Sequence, residues 1–378
     1  FDRKNYFYPD LSKNYQITQD LFPVGTNGHI DVMTSNGVRK IRIKRVHLEE
    51  DAGKSIHEGG VITDAAFSLE DYNRAGVPLL EIVSEPDIRS PEEAYEYLLM
   101  LRRILLYLGV SDCKMEEGSL RCDVNISIRP KGSSELWTQV ELKNLNSFRA
   151  VERSLEYETE RQSKIVKDGG KIVKETRHWD EASQRTAPMR LKEDAEDYRY
   201  FPEPDIPRLN IEKSWIDDIR STLPELPASR RKRFISDYGL PQYDASLLTD
   251  TQDLADYFEE VVSEYNQAKT VSNWVMGELL RLMNATGKEI NEVKISPCDL
   301  AAMLRMIDDG TISGKIAKTV FEEMFNKGKP PEDIVKEKSL VQITDKDELA
   351  KIVDKVLSEN QSVVDEVKAG KDRARGFL

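Results

Sequence analysis

The chain has little of what organises many enzyme sites: 3 cysteines and 4 histidines in 378 residues. Cys113, Cys122 and Cys298 form no CxxC pair and leave an odd count, which disfavours a disulfide framework or a self-contained zinc site and suits a reducing cytoplasm. His29, His47, His57 and His178 show no metal-ligand spacing, so a histidine-based zinc enzyme or triad is disfavoured. Long apolar runs are also missing. ILLYLGV at 104–110 falls far short of the roughly 20 residues a membrane span needs. No apolar leader opens the chain. Positive charge is in deficit, with a net charge of −13, which argues against indiscriminate binding to polyanions but not against a local basic patch. An initiator methionine is absent: the sequence opens at Phe1, already inside what reads as a folded segment, so a fragment is expected.

What is present is enough chain for two or three domains. Residues 1–207 alternate β-rich runs, such as HIDVM at 29–33, VRKIRIKRVHLEE at 38–50 and LRCDVNISIRP at 120–130, with two helices. The first helix, 91–109, has Ser90 as N-cap, Pro91 at its first position and acids in its first turn; the second runs from Ser147 to Asp168. Without strict βαβ alternation, the pattern predicts an α+β fold with a mostly antiparallel sheet. Past PEPDIP at 202–207, helical periodicity takes over. Helices are expected at 211–221, 227–238, 250–264, 268–285, 296–309, 313–327, 330–337, 346–359 and 361–370. The polar stretch 287–296 reads as a link, giving an all-helical domain at 208–294 and a small helical tail domain at 295–378.

Several clusters carry chemistry-bearing residues. Glu49, Glu50 and Asp51 end a strand beside Gly53 and Lys54, a grouping that suits Mg²⁺ and phosphate, or simply a solvated acidic turn. It is not a Walker P-loop. Arg121, Asp123 and Asn125 alternate on one strand face, opposite Cys122, Val124 and Ile126. Glu141 and Lys143 alternate with Val140 and Leu142 before a helix capped by Asn146 or Ser147. Two polar strand faces of this kind suit a nucleotide, a metal and a carboxylate substrate, while a sheet with one solvated face reads the same way. The opening run interleaves Tyr6, Phe7, Tyr8 and Tyr15 with Arg3, Lys4 and Lys13, fit either for stacking on a nucleotide or for pinning a strand to a core; DYRYFPEPD at 197–205 reads alike. In the helical half, Arg230, Arg231 and Arg233 of SRRKR, and Lys315 with Lys318, are candidate phosphate contacts or parts of solvated faces. Trp274, Met276, Leu279, Leu280 and Met283 lie at helical spacing and read as core.

The runs FDRKNYFYPDLSKNYQITQ, RVHLEEDAGKS, DYNRAGVPLLEIVSEPDIRSPEEAYEYL, KMEEGSLRCDVNIS, VELKNLNSFRAVERSLEYE, DYRYFPEPDIP and DGTISGKIAKTVFEEM follow one another along essentially the whole chain. In that order they resemble the B subunits of the aspartyl/glutamyl-tRNA(Asn/Gln) amidotransferases. The resemblance implies a cradle-like catalytic domain related to glutamine synthetase, then a helical domain and a tail domain that holds tRNA. It implies ATP and Mg²⁺ as cofactors and a heterotrimer formed with the A and C subunits. The reaction it implies phosphorylates the side-chain carboxylate of mischarged Glu-tRNA(Gln) or Asp-tRNA(Asn), which ammonia from the A subunit then amidates. By motif position, Glu50 is implied as a metal-binding carboxylate with Glu49 beside it, Glu141 as another acid of the pocket, and Lys4 and Tyr6 as lining it. Lys143, Arg121, Asp123 and Asn125 join them by strand geometry. The family's usual preceding segment, a GLEVHxQL-like strand giving a Glu and a His to the metal site, and a continued basic tail are expected outside this sequence. A non-catalytic tRNA-binding and assembly module is the alternative reading.

Overall fold

The computed structural model describes residues 1–57, 67–191, 198–340 and 346–368. They fall into two compact units, Phe1–Pro224 and Glu225–Leu378. The expected break at 207 lies ahead of that division.

Unit 1 is mixed α and β. Its main sheet holds β1 (Asp2–Asn5), β2 (Tyr15–Thr18), β3 (Gly25–Thr34), β4 (Gly37–Glu50), β7 (Pro78–Ser84) and β12 (Phe201–Pro202), all paired antiparallel. The long strand β4 organises it. Its first half pairs with β3; its second half pairs with β7 along one edge, and β2 joins at Thr18 opposite Glu49. An antiparallel pair of β5 (Lys54–His57) and β6 (Ser68–Asp71) follows β4. A second sheet runs in the order β11 (Arg185–Leu191), β10 (Glu175–Asp180), β9 (Val140–Lys143), β8 (Val124–Ile126), with β9 and β10 parallel.

The two helices form where the caps predict. In α1 (Pro91–Tyr107) the Ser90 side chain accepts a hydrogen bond from the Glu93 amide at 3.1 Å, and in α2 (Phe148–Lys167) Ser147 does the same for Ala150 at 3.0 Å. Their apolar faces close one core with the strands: Ile30, Val32 and Ile41 from β3 and β4, Leu98 and Leu101 from α1, Val140 and Leu142 from β9, Val151 and Leu155 from α2. Each such buried aliphatic side chain contributes about 1.5–3 kcal/mol, so this core fixes the register of β4 and β9 and hence what their polar faces present. The strand expected over 120–130 shortens to Val124–Ile126, because only these residues pair with β9 and Arg121 turns away to an acid elsewhere. The last helix of unit 1, α3 (Lys213–Thr222), has no buried residue.

Unit 2 is helical: α4 (Pro227–Tyr238), α5 (Gln242–Leu248), α6 (Gln252–Glu264), α7 (Ala268–Trp274), α8 (Leu280–Thr286), α9 (Pro297–Asp308), α10 (Gly314–Lys327), α11 (Pro331–Glu337), α12 (Lys346–Glu359) and α13 (Gln361–Lys368). Positions 369 and 370 of the last expected helix lie outside the described residues. Sequence periodicity misses α5, whose seven residues are too few to show a period. The single helix expected at 268–285 is interrupted by a π turn at Val275–Leu279, which contains the weak helix former Gly277. Leu279 and Met283 are buried, with Trp274, Met276 and Leu280 packed against them, as the spacing implies. One apolar cluster runs from Phe234 to Val335 and includes Ile290 and Ile295 from the stretch read as a link. The expected domain line at 294/295 falls inside that cluster.

Candidate functional site

The second half of β4 carries His47 and Glu49 on one face, since strand side chains alternate, and β7 sets Glu81 directly opposite His47. His47 Nε2 lies 3.1 Å from Glu49 Oε1 and 3.7 Å from Glu81 Oε2. One ligand atom from each of the three falls within 4.8 Å of the others, the one such metal-competent group among the described residues. His47 is fully buried, and its Nδ1 has no hydrogen-bond partner among the described residues. Burial alone would raise the Glu49 carboxyl. Hydrogen bonds from His47 and Thr18 and the nearby charge of Lys4 outweigh it and hold Glu49 below the usual carboxylate range. Glu81 moves the other way, raised by burial and by repulsion from Glu49. An ionised carboxylate beside one that resists ionisation is a site short of positive charge, and a divalent cation would supply it.

Motif position places the metal on Glu49, Glu50 and Glu141. Glu49 is in this group; Glu50 and Glu141 are not. Glu50 has the opposite parity on β4: its carboxylate pairs with Lys13 and accepts the Ile17 amide at 2.8 Å, tying β2 to β4. Glu141 belongs to the second sheet, where Thr176 donates to its Oε2 at 2.8 Å. Histidine spacing sets His47 aside, and nothing in the sequence pattern singles out Glu81. The signal for His47 is its alternation with Glu49; Glu81 needs the β4–β7 register.

The second polar face assembles largely as expected. Lys143 Nζ lies 3.1 Å from Asp123 Oδ2 and 3.7 Å from Glu141 Oε1, and Asn125 stands opposite Glu141 across β8 and β9. Arg121 leaves this face to bind Asp51, just beyond the end of β4, with Nη2 at 2.7 Å from Oδ1. That ion pair joins the start of the β8 run to the β4 end. β1 and β12 pair the two aromatic segments singled out from sequence, and the charge of Glu49 reaches Tyr6 from the first and Tyr200 from the second. Tyr6 stacks edge-on to Tyr198, with ring centres 6.1 Å apart, and Lys4 Nζ lies 4.5 Å from the Tyr198 ring centre. Burial, with Asp10, Glu49, Glu50 and Asp51 nearby, pushes the Tyr6 hydroxyl up to about 12, so it stays a proton donor.

Unit 2 treats its basic residues differently. Arg230 is buried, its guanidinium bound by Asp256 and Glu259; Arg233 pairs with Glu225 and Glu259. These two expected phosphate contacts are therefore locked into the packing of α4 on α6. Lys318 pairs with Glu278 at 2.7 Å yet stays largely exposed, and Lys315 is exposed on the same helix. Arg231 sits on α4 between the two locked arginines. No helix among the described residues is long and apolar enough to cross a membrane.

Comparison with known proteins gives the family. Residues 1–217 match the GatB/GatE catalytic domain, and residues 256–378 match the GatB domain. The B subunit of an aspartyl/glutamyl-tRNA(Asn/Gln) amidotransferase from Carboxydothermus hydrogenoformans is 58% identical over 378 residues, all of this chain and 78% of that protein. The protein of the same name from Thermoanaerobacter sp. strain X514 is 58% identical over 377 residues, 100% of this chain and 78% of the relative. That from Halalkalibacterium halodurans is 54% identical over 378 residues with the same coverage. The chain belongs to the family of aspartyl/glutamyl-tRNA(Asn/Gln) amidotransferase B subunits.

Proposed function

We propose that this chain carries the synthetase site of a tRNA-dependent amidotransferase. In this reading unit 1 is the cradle-like, glutamine-synthetase-related catalytic domain. It activates the side-chain carboxylate of Glu-tRNA(Gln) or Asp-tRNA(Asn) with ATP, and ammonia delivered from the A subunit displaces phosphate to leave the amide. The heterotrimer is completed by the C subunit. The observation that carries this reading is the convergence of His47, Glu49 and Glu81 in a charge-deficient group at the end of β4. The two carboxylates fit Mg²⁺, and an imidazole in the set suits Mn²⁺ or Zn²⁺ equally. When bound, the cation neutralises phosphate oxygens against an anionic acceptor.

The chain's own residues then divide the work. His47, Glu49 and Glu81 would hold the cation. Lys4 and Tyr6 line its rim, where Tyr6 remains a hydrogen-bond donor through the working pH range. Lys143, steadied by Asp123 and Glu141, offers a cation to the anionic substrate, with Asn125 as a neutral donor on the same face. Lys315 and Lys318 of unit 2 approach tRNA phosphates. The test is tRNA-dependent ATP cleavage by the assembled amidotransferase carrying Glu49→Gln. Removing a carboxylate from the cation should lower turnover by about 100-fold or more with assembly intact. Unchanged turnover would remove this group from the site.

A further inference from the structure

Arg121, a pocket candidate from strand alternation that leaves its strand face, belongs to a separate cationic element of unit 1 centred on Asp51. Asp51 is almost fully buried and pinned by its backbone: its amide donates to Val77 O at 2.8 Å, and its carbonyl accepts from Gly76 at 2.9 Å. Its carboxylate receives two arginines from different parts of the chain. Arg74, from the turn between β6 and β7, donates to Oδ2 through Nη2 at 2.8 Å and Nε at 3.2 Å; Arg121 donates to Oδ1 at 2.7 Å. Arg74 Nη2 also reaches Gly118 O at 3.1 Å. The fit there is close enough that a Cβ on Gly118 would come within 2.8 Å of Arg74 Nη1.

Two cations share one carboxylate, so the group carries an excess positive charge just past the acidic end of β4. Both arginine side chains are about half exposed. Among the described residues, Nη1 of Arg74 and Nε and Nη1 of Arg121 have no hydrogen-bond partner. The arginines of unit 2 contrast with this: Arg230 and Arg233 meet Asp256, Glu259 and Glu225 between them. A guanidinium fixed on one edge and open on the other is preorganised for the paired oxygens of a phosphate.

We propose that Arg74 and Arg121, set by Asp51, form a fork that binds the polyphosphate of a nucleoside triphosphate. The inference rests on the assignment of ATP chemistry to unit 1. Arg74 is a binding residue for the nucleotide, and Asp51 a positioning residue that acts through both arginines.

The test measures equilibrium binding of ATP, inorganic tripolyphosphate, adenosine and tRNA to the full amidotransferase assembly. Wild type is compared with Arg74→Gln, Arg121→Gln and Arg74→Lys. Each Gln variant should weaken ATP and tripolyphosphate by about 10- to 100-fold and leave adenosine unchanged, the range expected for a charge-assisted pair. Arg74→Lys, which keeps the charge and an ion pair to Asp51, should retain the fold and lose several-fold, because a point charge replaces a fork. Wild-type binding of ATP with equal affinity in all three variants would overturn the fork and leave Asp51 as a structural pin. Loss of tRNA affinity with ATP affinity intact would overturn it in favour of a phosphodiester. Absence of ATP binding by wild type would instead sink the synthetase reading itself.

Discussion

Two charge clusters in this chain look alike in sequence and differ in completeness. Between α4 and α6, Arg230 and Arg233 are matched by Glu225, Asp256 and Glu259, with Tyr238 donating to Glu259 at 2.8 Å. At the end of β4, Glu49 and Glu81 face one another across His47, offset only in part by Lys4 near Glu49 and Arg45 near Glu81. A matched cluster holds elements together and gains nothing from a ligand. An unmatched one raises the free energy of the empty fold and is relieved by a ligand of the missing charge.

Substitutions should therefore split in opposite ways. Glu81→Gln is expected to cut tRNA-dependent ATP cleavage by about 100-fold while leaving the urea midpoint unchanged or higher, since it removes a repulsion. Arg230→Ala should do the reverse. It strands Asp256, while Glu259 keeps Arg233 and Tyr238, and because Asp256 is half exposed the loss should be about 2 kcal/mol, below the figure for a fully buried pair. Turnover per folded molecule should hold. Denaturation and turnover measured on both variants decide it; loss of both properties in either variant would break the comparison.

A smaller effect separates the clusters by pH. Glu259 is held down to about 2 because bonds from Arg233, Tyr238 and Arg230 overcome its burial. A depressed folded value means the stabilisation is fully present above the usual carboxylate range and is lost as pH falls through it toward about 2. Glu259→Gln should flatten that acid limb. Glu81 has the opposite sign: its charged form is penalised in the fold, so the penalty grows as pH rises through and above the usual carboxylate range. Added Mn²⁺ or Mg²⁺ should raise the melting temperature of unit 1 more at pH 8 than at pH 5 in wild type, and should have no such effect with Glu49→Gln. Calorimetry across pH with and without the metal reads both.

How far the sequence exposes these clusters depends on the range of the interaction. Helix ends are legible because Ser90, Ser147, Ser296 and Ser313 each cap through a bond three residues on. The polar face of Glu141, Lys143, Asp123 and Asn125 is legible because alternation is also local. Alternation equally separates Glu49 from Glu50 and joins His47 to Glu49, once histidines are sought along a strand and not at helical or zinc-finger spacing. Glu81 and the partners of Arg230 are beyond it. The first depends on the β4–β7 register; the second depends on α4 meeting α6, whose acids lie 26 and 29 residues away. A run such as SRRKR does not reveal whether its charges are already matched.

The smallest expected effect falls on the exposed lysines of α10. Lys318 is about two-thirds exposed and Glu278 keeps Arg281 as a second partner, so Lys318→Ala should change stability by less than about 0.5 kcal/mol. Its weight, and that of Lys315, should appear in tRNA affinity. Each Ala substitution should weaken binding a few-fold and lower the slope of log affinity against log salt by about 1, the signature of one phosphate contact released. Arg233→Ala offers the control within the same unit: because its charge is already met by Glu225 and Glu259, it should leave that slope unchanged while costing stability. A salt slope that falls with Arg233→Ala and not with Lys315→Ala would mean that the matched cluster opens to meet tRNA, and that ion pairing in the free chain is no guide to which cations touch the nucleic acid.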